Sequence, residues 1–339
     1  MKQRNGICVA GNMLVDCTYP IDIMPAAGQL VPITGNPIFS TGGLLCNVAV
    51  DLARLDPGLK LLAVGRIGPD EHGEIIKEYM GKYPNIDMSG VKEEGITSFT
   101  LVMSENISHQ RTFFTFGGAG DFLCGDDFDW EKIDSEILHI GYILLLKALD
   151  APDTEYGTKM AKLLAGAKEH GIKTSIDMVS ENGSRYQRIV VPALKYTDYC
   201  IINELEAQST AGIPLRDENG VLIEANMAPV LNKLREYGVS EWVVIHCPEG
   251  GWGMAKDGIL IEEKSVLLPA GYIKGTVGAG DAFCSGVLLA AQRGQSLAEG
   301  IHLGAAAACA SLRYPGATEG VLTADEVLEM HKSLQAVKE

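Results

Sequence analysis

The chain has 339 residues, of which 46% are hydrophobic and 21% charged, a composition typical of a folded globular protein and not of a disordered one. Its net charge of −16 argues against nucleic acid or an anionic membrane as a partner, because both attract basic surfaces. The eight cysteines form no CxxC pair and no zinc-ligand cluster, so we expect reduced thiols, several of them in the core.

The first apolar segment, GICVAGNMLVD, predicts a strand that is buried on both faces and runs into a loop. Its apolar part is too short for a signal peptide, and no later segment is apolar for long enough to span a bilayer, so we expect a cytoplasmic protein. Residues 19–40, rich in Pro and Gly with short apolar pieces, predict a small hairpin outside the main core.

The next segments predict a helix, a buried strand, a second helix and a pair of half-buried strands. They are, in order, GGLLCNVAVDLARL, KLLAVGRIG, DEHGEIIKEYMGKY, SFTLVMS and RTFFTF. The last two alternate apolar with polar residues and are joined by the polar turn ENIS, which favours an antiparallel pair. Together with the hairpin of residues 19–40, this pair is expected to form a small sheet that projects from the core.

From residue 136 onward, strands and helices alternate. Apolar runs such as EILHIGYI, IKTSIDM, DYCIIN and EWVVIHC predict strands, and TKMAKLLAGAK has the apolar periodicity of a helix. This order predicts the α/β class, with a central and mostly parallel sheet flanked by helices. Ligands bind such sheets at the carboxyl ends of the strands.

The tetrapeptide GAGD occurs twice, and the second copy has the context of a binding site. It precedes AFCSGVLLAA, which predicts a buried helix, so Gly278 and Gly280 would lie in a loop at the N-terminus of that helix. Bare backbone amides and the helix dipole suit an anion there, and glycine allows a phosphate close to the backbone. Asp281 would face the same place and could accept the proton of an attacking hydroxyl. A purely structural helix cap is the alternative.

The first copy, at residues 118–121, is followed by FLCGDDFDW, which is broken by Gly125 and crowded with aspartates. No helix of useful length is predicted to begin at Gly120. We therefore expect a loop that leaves a strand, with Asp121 exposed.

Four segments in this order resemble the ribokinase-like carbohydrate kinases, also called the PfkB family. They are GNMLVD, GGLLCNVAVDLARLDPGLKLLAVGRIGPDEHG, NELE and GTVGAGDAFCSG, and the resemblance covers nearly the whole chain. It implies a ribokinase-like fold in which the small sheet is a lid over the substrate. The implied core comprises residues 1–11, 41–94 and 118–339, and the implied lid comprises residues 12–40 and 95–117. It also implies a homodimer that pairs the two lids.

The resemblance implies a catalytic base, an anion hole and a sugar site. Asp281 would be the base, and the backbone of Gly278, Ala279 and Gly280 would form the anion hole. The residues that would bind the sugar hydroxyls are Asp16, Gly42, Gly43 and Asn47. Arg111, which begins a lid strand, would reach the substrate or the transferred phosphate, with an exposed strand residue as the alternative.

The resemblance also implies a nucleotide site for ATP and Mg²⁺. Asn203 and Glu206 match the family pattern N-x-x-E, which organises Mg²⁺ and its waters, although a helix cap has the same spacing. We expect the neighbouring Glu204 to be solvated. His246 and Gly251 would lie in the nucleotide loop, with a packing role as the alternative for His246.

Two departures from the family pattern alter what is expected of the nucleotide site. IHCPEGGWG replaces the usual Thr-x-Gly, so its contacts to ATP must differ. Gly275 stands where many members have an aspartate near a monovalent-cation site, which puts K⁺ dependence in doubt.

The sequence thus predicts an ATP-dependent kinase that phosphorylates a primary hydroxyl of a small sugar. Two alternatives stay open. One is a nucleoside kinase of the same family, and the other is a catalytically silent protein on this fold that senses a sugar or a nucleotide.

Overall fold

The computed structural model describes residues 4–181 and 183–336. Its strands are β1 (Ile7–Ala10), β2 (Leu14–Ile21), β3 (Ile38–Gly42), β4 (Leu61–Ile67), β5 (Ile86–Glu93), β6 (Ser98–Glu105), β7 (Arg111–Phe116), β8 (Ile137–Ile143), β9 (Pro152–Asp153), β10 (Gly157–Thr158), β11 (Lys173–Met178), β12 (Tyr199–Asn203), β13 (Trp242–Cys247), β14 (Gly250–Met254) and β15 (Leu260–Lys264). Its helices are α1 (Leu44–Leu55), α2 (Glu71–Met80), α3 (Lys159–Glu169), α4 (Tyr186–Leu194), α5 (Glu204–Ala211), α6 (Met227–Glu236), α7 (Ala279–Gln292), α8 (Leu297–Ser311) and α9 (Ala324–Ala336).

Nine strands form the central sheet, in the order β15-β14-β13-β12-β11-β8-β1-β4-β5. All neighbours from β13 to β5 pair in parallel, and β14 and β15 continue the sheet as antiparallel strands at one end. The prediction of a mostly parallel sheet is therefore confirmed. The carboxyl ends of its parallel strands lie at one edge, which is where the polar side chains of the candidate site are found.

Helices cover both faces of the central sheet. Ile7 and Val9 of β1 pack in one hydrophobic cluster with α1, α2, α7, α8 and α9. Cys8 and Ala10 point the other way, into a cluster with α3, α4, α5 and α6. Side chains alternate across a strand, so burial of all four residues requires cover on both sides, as the apolar run ICVA predicts.

A second, smaller sheet has the strand order β3-β2-β6-β7. The pairs β2–β3 and β6–β7 are antiparallel, and β2 and β6 run parallel to each other. The two interruptions of the α/β pattern thus pair into one small sheet, as predicted. One detail differs, because the segment expected to be a loop after β1 becomes β2 from Leu14 onward. Strands on both sides supply its backbone partners, which the local sequence cannot reveal.

The small sheet occupies residues 14–42 and 98–116, close to the segments assigned to the lid. The division of the chain into core and lid stays a prediction. All eight cysteines are free, and six of them are buried. Among the described residues, the helices are all too short or too polar to cross a membrane.

Candidate active site

The second GAGD segment forms the start of α7, as predicted. Gly278 has a φ of +78°, and an added Cβ would overlap the carbonyl oxygen of Ala317. Only glycine adopts this turn without strain against that backbone. The turn leads into a helix of 14 residues, whose first amides have no partner within the helix.

Asp281 lies in the first turn of α7 and is only 5% exposed. Its Oδ2 accepts a hydrogen bond of 2.8 Å from Nδ2 of Asn47, and the hydroxyl of Tyr142 lies 3.1 Å from both carboxylate oxygens. Burial raises the pKa of Asp281 to about 6, and the two hydrogen bonds oppose that rise. The carboxyl group is thus held in one orientation and ionises close to neutral pH, as a general base requires.

Three further buried carboxyl groups surround this position. Asp177 is the next-to-last residue of β11 and Glu206 lies in the first turn of α5, and burial raises the pKa of each. The negative charges of Glu206 and Asp281 raise the pKa of Asp177 further. Asp51 of α1 is fully buried, and neither of its carboxyl oxygens has a hydrogen-bond partner among the described residues. Burial, followed by the charge of Asp281, raises its pKa well above the ordinary value.

The residues predicted to bind the sugar meet where the small sheet joins α1. An added Cβ on Gly42 would lie 2.7 Å from Oδ2 of Asp16, so the missing side chain makes room for that carboxylate. Gly43 precedes α1 with a φ of +86°. Asn47 follows in the second turn of α1 and contacts Asp281. The structure therefore forms a connected path from Asp16, through the start of α1, to the proposed base.

Burial raises the pKa of Asp16, and a hydrogen bond from the Thr100 side chain lowers it. Asp16 stands opposite Thr100 in the ladder between β2 and β6, so both side chains lie on one face of the small sheet. This face presents oxygen donors and acceptors suited to a polyhydroxylated ligand.

Arg111 is not brought to this position. In the ladder between β6 and β7, Arg111 pairs with Ser104, whereas Thr115 pairs with Thr100. Arg111 and Thr115 are four residues apart on β7. At about 3.3 Å per residue, Arg111 lies roughly 13 Å along the strand from the row of Asp16. Its side chain is exposed at the outer end of the edge strand β7, which agrees with the alternative of an exposed strand residue.

A cavity of about 420 Å³ lies beside the start of α7 and falls in the range of ligand pockets. Ala279 and Gly280 form part of its wall, and so does Asn203 at the end of β12. The rest of the wall is mostly apolar, with Val266, Leu268, Ile273, Phe283, Ala305, Ala308 and Leu312. An apolar cavity that ends at the N-terminus of a helix suits a flat aromatic ring joined to a phosphate chain.

His246 and Gly251, both predicted in the nucleotide loop, occupy different positions. His246 lines the cavity, and its ring lies 4.9 Å from that of Phe283. Burial lowers its pKa to about 4, so its imidazole is neutral at pH 7. Gly280 passes over this ring, because an added Cβ there would lie 3.1 Å from Cε1 of His246. Gly251 is buried in β14 against Phe283, and its neighbour Gly250 lines the cavity.

Asn203 and Glu206 form a helix capping box, the alternative that the sequence leaves open. The Asn203 side chain accepts hydrogen bonds from the amides of Leu205 and Glu206, and the Glu206 carboxylate accepts one from the Asn203 amide. Oε1 of Glu206 also accepts hydrogen bonds from Asn203 Nδ2 at 2.7 Å and from the Ser180 hydroxyl at 2.8 Å. Capping does not exclude metal binding, since Asn203 also faces the cavity and Asp177 adds a carboxyl group.

The expectation that Glu204 is solvated is wrong. Its side chain is buried and lies 2.7 Å from Nη2 of Arg216, which also pairs with Glu249. Glu249 and Pro248 form the two-residue turn of the hairpin between β13 and β14. The Arg216 guanidinium lowers the pKa of Glu249 to about 2. One arginine thus joins the turn between β13 and β14 to the start of α5.

The first GAGD segment forms a 3₁₀ turn over Gly118–Phe122 and no longer helix. Asp121 is half-buried, with its side chain 30% exposed and 3.8 Å from Nζ of Lys147, so the prediction that it is exposed is wrong. At Gly275, an added Cβ would lie 2.7 Å from Cα of Pro315. An aspartate at this position would require that backbone to move.

Four residues of the site escaped the sequence analysis. Asp177 ends a predicted strand at the ligand-binding edge of the sheet, and that rule alone could have found it. Asn12, whose Oδ1 accepts a hydrogen bond from the Leu44 amide, stands within the GNMLVD segment. Tyr142 holds the place equivalent to that of Asp177 in the predicted strand EILHIGYI, so the same rule could have found it. Arg216 carries no local signal for its role, because Glu204 and Glu249 lie 12 and 33 residues away along the chain.

Known proteins resemble this chain over most of its length. Residues 4–324 match the family model described as pfkB family carbohydrate kinase. A ribokinase of Arabidopsis thaliana is 25% identical over 338 residues, covering 96% of this chain and 81% of that protein. A nucleoside kinase of Methanocaldococcus jannaschii is 22% identical over 332 residues, covering 97% of each. The solved structure of Arabidopsis thaliana ribokinase complexed with ribose and ATP has a TM-score of 0.78 at 22% identity, covering 97% of this chain and 99% of that one.

Proposed function

The chain belongs to the pfkB family of carbohydrate kinases, and from that premise we propose that it transfers the γ-phosphoryl group of ATP to a primary hydroxyl of a small sugar. The ribokinase-like fold and the family are those that the sequence motifs imply. Membership makes the chain an ATP-using phosphotransferase with an alcohol as acceptor. The acceptor and the roles of individual residues are our proposals.

One observation carries the proposed mechanism. A buried carboxyl group, Asp281, is held by Asn47 and Tyr142 in the first turn of a helix whose N-terminus borders an apolar cavity. A carboxylate in this position can accept the proton of a hydroxyl while the amides hold the phosphoryl oxygens. In the family, this combination corresponds to the base and the anion hole.

In the proposed reaction, the sugar hydroxyl oxygen attacks the γ-phosphorus of ATP in line with the β–γ bridging oxygen. The bond from the γ-phosphorus to that oxygen breaks, ADP leaves, and the hydroxyl proton passes to Asp281. The backbone amides of Gly278, Ala279 and Gly280 would stabilise the negative charge that develops on the oxygens of the transferring phosphoryl group. Asp16, Gly42, Gly43 and Asn47 would hold the sugar so that one hydroxyl faces Asp281.

The donors near the cavity suit Mg²⁺, which prefers oxygen ligands and retains several waters. Asp177 and Glu206 are buried carboxyl groups whose raised pKa values reflect unfavourable desolvation, and a dication would relieve it. We propose that Asn203 and Glu206, together with Asp177, hold Mg²⁺ through its waters. When bound, it would neutralise charge on the ATP phosphates.

A panel of acceptors tests the proposal. The purified protein would be incubated with ATP·Mg²⁺ and each of several sugars and nucleosides, and ADP release would be measured alongside the thermal shift caused by each acceptor. We expect ADP release with a sugar that also raises the melting temperature, because a ligand that binds the native state stabilises it. Turnover with nucleosides alone would favour the nucleoside kinase. Thermal shifts without ADP release across the panel would favour a silent sensor.

We also propose a cytoplasmic homodimer that pairs the two small sheets. Free cysteines are typical of a reducing compartment. The edge strand β7 exposes apolar side chains on both of its faces, with Phe113 63% and Phe114 49% exposed. Exposed apolar surface of this kind favours association. Light scattering should give twice the chain mass, and Phe113→Ser with Phe114→Ser should give a monomer; a monomeric wild type would contradict the proposal.

A further inference from the structure

Away from the proposed base Asp281, three metal-ligating side chains from distant parts of the chain lie together. They are Glu263 on β15, His302 on α8 and His331 on α9. One ligand atom from each residue lies within 4.8 Å of those of the other two. The proposed kinase reaction uses none of these three residues.

Ordinary hydrogen bonding accounts for two of the three. Nδ1 of His302 lies 2.6 Å from Oε1 of Glu263, which is a short hydrogen bond between imidazole and carboxylate. The ring of His331 stands edge-on to that of His302, with centroids 5.2 Å apart and an interplanar angle of 77°. This ring contact directs no hydrogen bond to His331.

His331 is therefore the residue that needs an explanation. Its side chain is 1% exposed, and its Nδ1 has no hydrogen-bond partner in the part of the chain that the structure describes. A buried polar atom without a partner is unfavourable, and such atoms are rare enough in native proteins to need an explanation, such as a bound water or ion. An imidazole nitrogen without a hydrogen-bond partner is a potential metal ligand.

We propose that Glu263, His302 and His331 bind one divalent transition-metal ion of the zinc class. Two imidazoles and a carboxylate are a ligand set that suits Zn²⁺, whereas Mg²⁺ and Ca²⁺ prefer oxygen ligands only. Bond lengths of about 2.0–2.1 Å to a tetrahedral ion place ligand atoms about 3.3 Å apart, which small side-chain rotations reach from the present spacing. The His302 side chain is 39% exposed, which leaves an entry path and a position for a water ligand.

The bound ion connects three elements that are distant in sequence. It ties α9 to α8 and to the edge strand β15, which otherwise has a neighbour on one side only. His331 also lines the 420 Å³ cavity, so the ion stabilises one wall of that cavity. The site would thus hold α9 against α8 and β15, and this structural role does not depend on which acceptor the enzyme uses.

Metal binding to the full-length protein tests the proposal. After removal of metals with a chelator, Co²⁺ would be titrated as a spectroscopic probe and Zn²⁺ by calorimetry. We expect one site per chain, visible absorption typical of four-coordinate Co²⁺, and a rise in melting temperature with Zn²⁺. Loss of a ligand in His302→Ala should weaken binding by at least about 10-fold, the lower end of the effect of losing an outer-shell partner.

His109→Asn is the matched control, since His109 is exposed in the connection between β6 and β7 and its left-handed backbone (φ +58°) suits Asn. It should bind Co²⁺ as the wild type does. His302→Ala removes a half-exposed side chain and should melt at the wild-type temperature without metal, which separates lost binding from lost folding. Absence of a saturable site would overturn the proposal. So would Co²⁺ binding that persists in His302→Ala with a thiolate charge-transfer band, because the cysteines would then hold the ion. Neither readout depends on kinase activity.

Discussion

The two GAGD segments each begin with a glycine of positive φ and then diverge. Gly118 and Gly278 both have a positive φ, of 49° and 78°, and at both positions an added Cβ would meet a carbonyl oxygen. After Gly118 the chain makes a 3₁₀ turn of five residues, whereas after Gly278 it continues as a helix of 14. The two segments thus share a glycine of positive φ. The residues that follow determine whether a long helix begins there, with its dipole available to a ligand.

The aspartates of the two segments differ even more in their surroundings. Asp121 is half-buried, and its carboxylate lies 3.8 Å from Nζ of Lys147. Asp281 is enclosed by Asn47, Tyr142 and buried acids from other elements. A motif becomes a site through the partners that the fold brings to it.

The largest expected effect is a loss of turnover when Asp281, but not Asp121, is replaced. Asp281→Asn should lower kcat by about 100- to 10,000-fold, because the amide cannot accept the hydroxyl proton. Binding of ATP and acceptor should change little, which calorimetry can measure. Asp121→Asn is the matched control and should keep the wild-type kcat. Equal losses in both variants would remove the functional distinction between the two segments.

The two glycines should share a stability cost but differ in activity. Gly118→Ala and Gly278→Ala each place a Cβ in a left-handed turn, at roughly 1–2 kcal/mol or more of unfolding free energy. Chemical denaturation would measure that cost. Only Gly278→Ala should also lose turnover, since the turn at Gly278 orients the first amides of α7 toward the proposed phosphoryl position. A fully active Gly278→Ala enzyme would show that these amides do not hold the phosphoryl group.

The buried acids around the second segment predict a stabilising substitution. Asp51→Asn should raise the unfolding free energy by about 1–3 kcal/mol at pH 8, because it removes a fully buried carboxyl group without partners. The folded-state pKa of Asp51 is raised, so its cost is absent below its unfolded pKa of about 4 and grows as pH rises toward the folded value. The stabilisation should therefore shrink as the pH falls from 8 to 5. A gain that stays constant with pH would contradict this account.

The smallest expected effect is a shift in pH dependence. The proposed base must be deprotonated, so kcat/KM should fall as the pH drops through about 6, the pKa of Asp281. The Tyr142 hydroxyl stabilises the charged carboxylate, so Tyr142→Phe should move this acid limb to higher pH. Tyr199→Phe removes a hydroxyl that accepts a hydrogen bond from Lys173 at the amino ends of β11 and β12, and it should leave the acid limb of the pH profile unchanged. A limb that moves to lower pH in Tyr142→Phe would refute the role given to that hydroxyl.

Much of the fold follows from local patterns. The alternation of apolar strands and amphipathic helices predicted the parallel sheet, and the period-two runs near residues 97–116 predicted the β6–β7 pair. Both patterns arise because one or two faces of each element are buried. The residues on a buried face must be apolar, so the periodicity is visible in the local sequence. The motifs at Asp16, Asn47 and Asp281 were visible for a related reason, since glycines and short polar residues cluster where backbone approaches a ligand.

The sequence by itself determined the elements, the glycine turn before α7 and the family of the chain. Only the tertiary structure decided that Tyr142 and Asn47 hold Asp281, that Arg216 buries Glu204, and that two histidines meet Glu263. These contacts join residues up to 234 positions apart, and their strength comes from removal of water at the meeting point. Local sequence does not encode which distant groups share a dry site, because that depends on how helices and strands stack.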